Sequence, residues 1–102
     1  MTTHAMEPTY WKAEKEKEVY TDDGMLLGTL HGIMVDPNTW TVSHFVIEVH
    51  KDMSEEMNIK KPMFSAAMVN IPTSYVKGVS DVIQLNSNLA TIKGAATVHN
   101  PK

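Results

Sequence analysis

Two extended apolar runs occupy the middle of the chain. From Leu26 to Val35 the residues are apolar, small or β-branched, broken by Gly28 and Gly32, and from Trp40 to Val49 a second strand pattern follows. Strand alternation puts Thr41, Ser43, Phe45, Ile47 and Val49 on one face and Val42, His44, Val46, Glu48 and His50 on the other. Asp36-Pro37-Asn38-Thr39 separates the runs and predicts a reversal: Pro37 is preset for the second position of a turn, and Asp36 can accept from the backbone two residues on. Asp22-Asp23-Gly24 predicts an earlier one, because Gly24 takes positive φ without a Cβ clash. The two runs therefore form a β-hairpin, fed by a short strand at Val19 and Tyr20. Glycine weakens a strand interior, and its usual compensation is a bulge or a sharp bend of the kind that closes a small barrel.

After the hairpin, Asp52 or Ser54 is placed to cap a turn of helix through Glu55, Glu56 and Met57, and Pro62 forbids its continuation. Ala66 to Ile71 reads as another strand, Thr73-Ser74-Tyr75 as a turn, and Val76 to Val79 and Val82 to Leu85 as a closing pair. The predicted core is Leu30, Ile33, Val35, Val42, Phe45, Ile47, Val49, Ile71, Val76, Val79, Val82 and Leu85. The expected organisation is a polar arm at 1–16, a domain at 17–85 and a tail at 86–102. The tail keeps few large apolar groups, although Leu89 to Ile92 could pair with an open edge. Expected fold class is all-β, a small and mostly antiparallel barrel with one short helical crossover.

Composition narrows the function classes. Without cysteine, disulfides, thiolate metal sites and a cysteine nucleophile are excluded. All nine basic residues are lysines and the net charge is -3, which argues against nucleic acid, since arginine's planar fork suits phosphate and guanine best. No apolar run approaches the roughly 20 residues of a membrane-spanning helix, so no membrane insertion is expected and the predicted location is cytoplasmic.

Candidate chemistry is sparse. A symmetric hairpin would set His31 opposite His44, close enough to share a metal, but Glu48 lies roughly 13 Å along the strand and a bulge at Gly32 would spoil the register. Ser43 and His44, adjacent on a strand, point to opposite faces and make no nucleophile–base pair. Gly24, Gly28 and Gly32 are too widely spaced for a phosphate cradle. No catalytic residue, metal or cofactor is assigned, and the chain is not expected to be an enzyme. Lys60, Lys61, Tyr75, Lys77 and Lys93 offer the elements of an RNA-binding face, set against twelve acids.

The order of signals resembles the PRC-barrel family over roughly Lys17 to Leu85. The resemblance rests on Asp23-Gly24, Leu27-Gly28-Thr29-Leu30, Ile33-Met34-Val35-Asp36, and Thr41-Val42-Ser43-His44-Phe45-Val46-Ile47-Glu48. It continues through Ser54-Glu55-Glu56, Lys60-Lys61-Pro62, Val69-Asn70-Ile71-Pro72, Val76-Lys77-Gly78-Val79 and Asp81-Val82-Ile83. Gly32 departs from it, standing where many members carry an acidic residue. The resemblance implies a small antiparallel barrel of the type found in the photosynthetic reaction-centre H subunit, in a bacterial ribosome maturation factor and in stand-alone archaeal proteins. Some of the last are adaptors linked to archaeal cell division. It implies a non-enzymatic protein–protein interaction module, and as the alternative an RNA- or ribosome-associated protein of ribosome maturation. The expected partners are a second copy, as a homodimer, and a further protein. The expected contact residues are Met57, Met63 and Phe64 of the methionine-rich crossover, with Tyr10 and Trp11 of the arm.

Overall fold

A computed structural model describes residues 8–56 and 67–99. In chain order it contains β1 (Thr9–Lys12), β2 (Glu18–Tyr20), β3 (Leu26–Asp36), β4 (Thr41–Val49), α1 (Lys51–Glu56) and β5 (Met68–Pro72). A 3-10 turn (Thr73–Tyr75), β6 (Val76–Val79), β7 (Ile83–Leu85), α2 (Leu89–Ala95) and β8 (Thr97–Val98) complete it. The fold is mostly β. All eight strands belong to one sheet whose path runs β6-β7-β2-β3-β4-β5-β8, with β1 added beside β3. Among the described residues the path does not return on itself, so the expected closed barrel is corrected to an open sheet.

β3 organises it. One of its sides is shared end to end by β2, which pairs Glu18 with Thr29 and Val19 with Gly28, and by β1, which pairs Lys12 with Gly32 and Thr9 with Val35. Its other side holds β4 along almost its whole length. Gly24 takes φ 80° in the turn between β2 and β3. That turn is clamped by buried Thr21, whose amide donates to the Met25 carbonyl at 2.9 Å and whose Oγ1 accepts from the Met25 amide at 3.1 Å. At the hairpin tip the Asn38 amide donates to Asp36 Oδ1 at 2.9 Å, as the sequence suggests. The loop extends one residue further than expected, however, with Trp40 left-handed at φ 56° and the strand starting at Thr41.

Two bulges in the β3–β4 ladder set which side chains meet there. Between Leu30 and Gly32 the register slips by one residue, leaving His31 unpaired on β3. This is the irregularity that Gly32 signals. A second slip leaves Ser43 unpaired on β4, so Val42 pairs with Val35 while His44 pairs with Met34. Past that bulge the alternation is inverted, and Val42 joins Phe45 and Ile47 on the core face, where simple alternation had put it on the other.

The core consists of Val19, Leu27, Ile47, Val49, Ala67, Val69, Ile71, Ile83, Leu85 and Ile92. Four expected members are corrected: Val79 is 56% exposed, because β6 is the terminal strand of the sheet, Val42 is 37% exposed at the hairpin tip, and Ile33 and Val82 are half-buried outside the cluster. Leu30, Phe45 and Val76 pack against the core from its margin. Ser54 does not cap α1, since its buried Oγ donates to the Lys51 carbonyl at 2.7 Å, and the amides of Met53 and Ser54 both donate to the His50 carbonyl. The segment expected as a tail contributes α2, capped by Asn88 Oδ1 on the Thr91 amide at 3.0 Å, and sinks Ile92 fully into the core. β8 then adds to β5, pairing Val98 with Val69. The expected arm likewise contains a strand, β1, rather than a solvated lead-in.

Ile47 sits at the middle of the buried cluster and Val42 on its exposed fringe. Ile47→Ala should lower unfolding free energy by about 2–5 kcal/mol, whereas Val42→Ala should stay within about 0.5 kcal/mol of wild type in urea titrations. Equal losses would contradict this placement of the core.

Candidate functional site

The register divides the residues around β3 and β4 between two faces. On the core face, Trp11, Ile33, Phe45 and Ile71 stand in one row across β1, β3, β4 and β5. Exposure falls along it from Trp11, 53% exposed, to Ile71, fully buried. The next row toward the tip holds Thr9, Val35 and Val42. Trp40, 74% exposed, follows immediately in the loop. Among the described residues the apolar core face thus ends in exposed Trp11 and Val42, with exposed Trp40 in the adjoining loop. Scattered exposed apolar residues are ordinary; two tryptophans and a valine at one end of a sheet are characteristic of contact surfaces.

On the outer face, the corresponding row is Lys12, Gly32, Val46, Asn70 and Thr97. Tyr10 lies across Gly32: a Cβ there would come within 2.4 Å of the Tyr10 ring and 2.5 Å of the Trp11 carbonyl, so only glycine admits the ring. The Tyr10 hydroxyl donates to the His31 carbonyl at 3.2 Å, and its ring stacks on the His31 imidazole at 6.1 Å. From the other end of the chain His99 brings its imidazole to 5.2 Å from the same tyrosine and donates from Nδ1 to Asn70 Oδ1 at 3.0 Å. Val46 is fully buried on this face. The cluster therefore joins β1, the bulge of β3, β5 and the residue after β8. Burial raises the Tyr10 pKa, while burial and then the proximity of His31 lower that of His99.

Of the expected contact residues, Tyr10 and Trp11 lie on opposite faces of β1: Tyr10 is spent on its own sheet, and Trp11 is open. Met57, Met63 and Phe64 lie outside the described residues. The pairing of His31 with His44 is not formed, because the bulge turns His31 toward Tyr10, whereas His44 pairs with Met34 and places Nδ1 2.9 Å from Ser43 Oγ. Ser43 and His44 share a face after all, through the bulge, but among the described residues no acidic side chain bonds the imidazole to orient it. Among the described residues no group of three or more His, Cys, Asp or Glu side chains converges as metal ligands would.

Of the lysines with Tyr75, the described members lie on separate elements: Tyr75 packs against the core, Lys77 on β6 faces Asp22 at 4.0 Å, and Lys93 lies on α2. Lys60 and Lys61 are outside the described residues. A cleft of about 440 Å³ opens at the other end of the hairpin, between Glu16, Thr29, Glu48, His50 and Lys51. Its wide mouth and mixed charges present no nucleophile held by a base.

Sequence patterns did not reveal the Tyr10–His31–His99 cluster, because only the topology joins its members. The Gly32 signal for a bulge was its one visible trace.

Because His99 has a lowered pKa, folding favours its neutral form. Its contribution to stability is complete above the ordinary imidazole value of 6.5 and is lost as pH falls through the lowered folded value. Thermal unfolding should therefore shift downward on acidification below neutrality. His99→Gln should flatten that pH dependence, and an unchanged slope would remove His99 as its origin.

Neither a family model nor a curated protein matches the sequence.

Proposed function

We propose that this chain is a non-enzymatic protein–protein interaction module, an adaptor of PRC-barrel type. The observation that carries the proposal is the exposure of Trp11 and Val42 on the core face that also holds half-buried Ile33 and Phe45, with exposed Trp40 in the adjoining loop. Tryptophans in such settings supply large contact area at little cost in side-chain entropy, and they dominate the binding energy of many interfaces. A left-handed Trp40 at the tip of a tight hairpin, anchored by the Asp36 carbonyl accepting from its amide at 2.7 Å, is held outward by the backbone itself.

The PRC-barrel assignment is supported by the order of motifs and by an antiparallel hairpin at the centre of an all-β fold. Its most concrete version, scaffolding in archaeal cell division within the cytoplasm, rests on the resemblance. The RNA-associated alternative gains no support from the described lysines, which are dispersed.

Affinity purification of the tagged full chain from its native cells, beside a Trp40→Ser/Val42→Ser variant, tests the reading. A defined set of proteins depleted at least about tenfold by the variant is the expected result, since interface tryptophans commonly carry more than about 1.4 kcal/mol. Division proteins in that set would support the scaffold version. Recovery of ribosomal proteins, insensitive to the variant, would overturn the adaptor reading in favour of ribosome maturation.

A further inference from the structure

Among the described residues, β1 leaves one of its two edges unpaired, since it pairs with β3 alone. The Ala13 amide donates to the His31 carbonyl at 2.9 Å, which fixes the phase of the ladder: backbone groups of residues 9, 11 and 13 point to β3, and those of Tyr10 and Lys12 point away. An open edge with outward donors and acceptors is a template for another strand.

We infer that this edge pairs with the same edge of a second copy, antiparallel about a two-fold axis through Trp11, making one continuous sheet across two chains. The inference rests on the reading of the chain as an interaction module and names its partner as itself.

Self-pairing is favoured by the residues that this register brings together. With Trp11 opposite Trp11, the outward groups of Tyr10 meet those of Lys12 of the second copy, and the reverse, giving four backbone hydrogen bonds. Moving the axis to Lys12 would oppose two lysines. Moving it to Tyr10 would bring in Pro8, which has no amide hydrogen to give. Centred on Trp11, the two exposed indoles cover each other on the core face, and the row Phe45–Ile33–Trp11 runs on into its symmetry mate. On the outer face each Lys12 ammonium comes beside a Tyr10 ring, a pairing without like charges. Four residues form a short edge that buries less than a standard interface, so the dimer belongs in the micromolar range.

The purified full chain tests this directly. Sedimentation and light scattering across the micromolar to near-millimolar range should show wild type moving from one to two chain masses. Lys12→Pro removes an outward amide together with the ammonium beside Tyr10 and should weaken dimerisation by at least about 100-fold, tenfold for each of the two hydrogen bonds lost, with an unchanged far-UV spectrum. Because the chain has no cysteine, Trp11→Cys gives a single thiol whose counterpart on the two-fold is at about 4.5 Å between Cα atoms, within disulfide reach. Mild oxidation should convert it to covalent dimer, while Val79→Cys, exposed on β6, should remain monomeric. A wild type that stays monomeric throughout, a dimer indifferent to Lys12→Pro, or a Trp11→Cys chain that does not crosslink would each overturn the inference. Those outcomes concern purified protein alone, so they leave the adaptor reading standing, and that reading fails separately if the Trp40 and Val42 variant captures the same proteins as wild type.

Discussion

The slip in register at His31 is the constraint on which the arrangement around β3 depends. Without it the alternation of β3 against β4 would run unbroken through this stretch, and Leu30 and Ile33 could not both face the core. One unpaired residue reverses the alternation between them. It also bends β3, letting two short strands, β1 and β2, share its side. Gly32 beside the bulge then leaves a hollow on the outer face that a tyrosine ring can fill. Bend, shared edge and aromatic cover are thus a single local event seen from three sides.

Filling the hollow has a cost in exposure elsewhere. With Tyr10 turned onto the outer face, alternation sends Trp11 to the core face at a point that the β6–β7 pair and α2 do not reach. The protein hides one aromatic of an adjacent pair by displaying the other. The same division recurs at the tip, where the Ser43 bulge carries Val42 toward the core face just as that face runs out of cover.

What could be read in the sequence was local chemistry. The turns at Gly24 and at Asp36-Pro37, the central hairpin and the irregularity at Gly32 each depend on one or two residues whose backbone preferences are strong. The Ser43 bulge leaves no such mark, since Thr41-Val42-Ser43-His44 alternates cleanly, and the side taken by Val42 was therefore misassigned. β1 is strand because the free side of β3 receives it, a tertiary effect that the mixed polarity of Thr9-Tyr10-Trp11-Lys12 does not announce. α2 did carry a signal: Asn88 is a good cap, and Leu89 and Ile92 share a helical face, but two apolar residues in a polar stretch were too few to outweigh composition. Trp11 stood out in the sequence as an aromatic in a polar segment, whereas its separation from Tyr10 onto opposite faces required the register.

β2 lies between β3 and β7, and its pairing with β7 is parallel, Val19 with Ile83 and Tyr20 with Gln84. Residues near the start of the chain thereby wait for residues near its end. On a ribosome that synthesises from the N-terminus, the β3–β4 hairpin and β5 emerge able to pair while Val19 and Leu27 still lack Ile83, Leu85 and Ile92. Until then the nascent chain carries a half-covered core and an unpaired β2 edge. Completion of the domain is thus tied to the emergence of β7 and α2, and the β2–β7 pairing is a long-range closure of the kind that forms more slowly than a local hairpin.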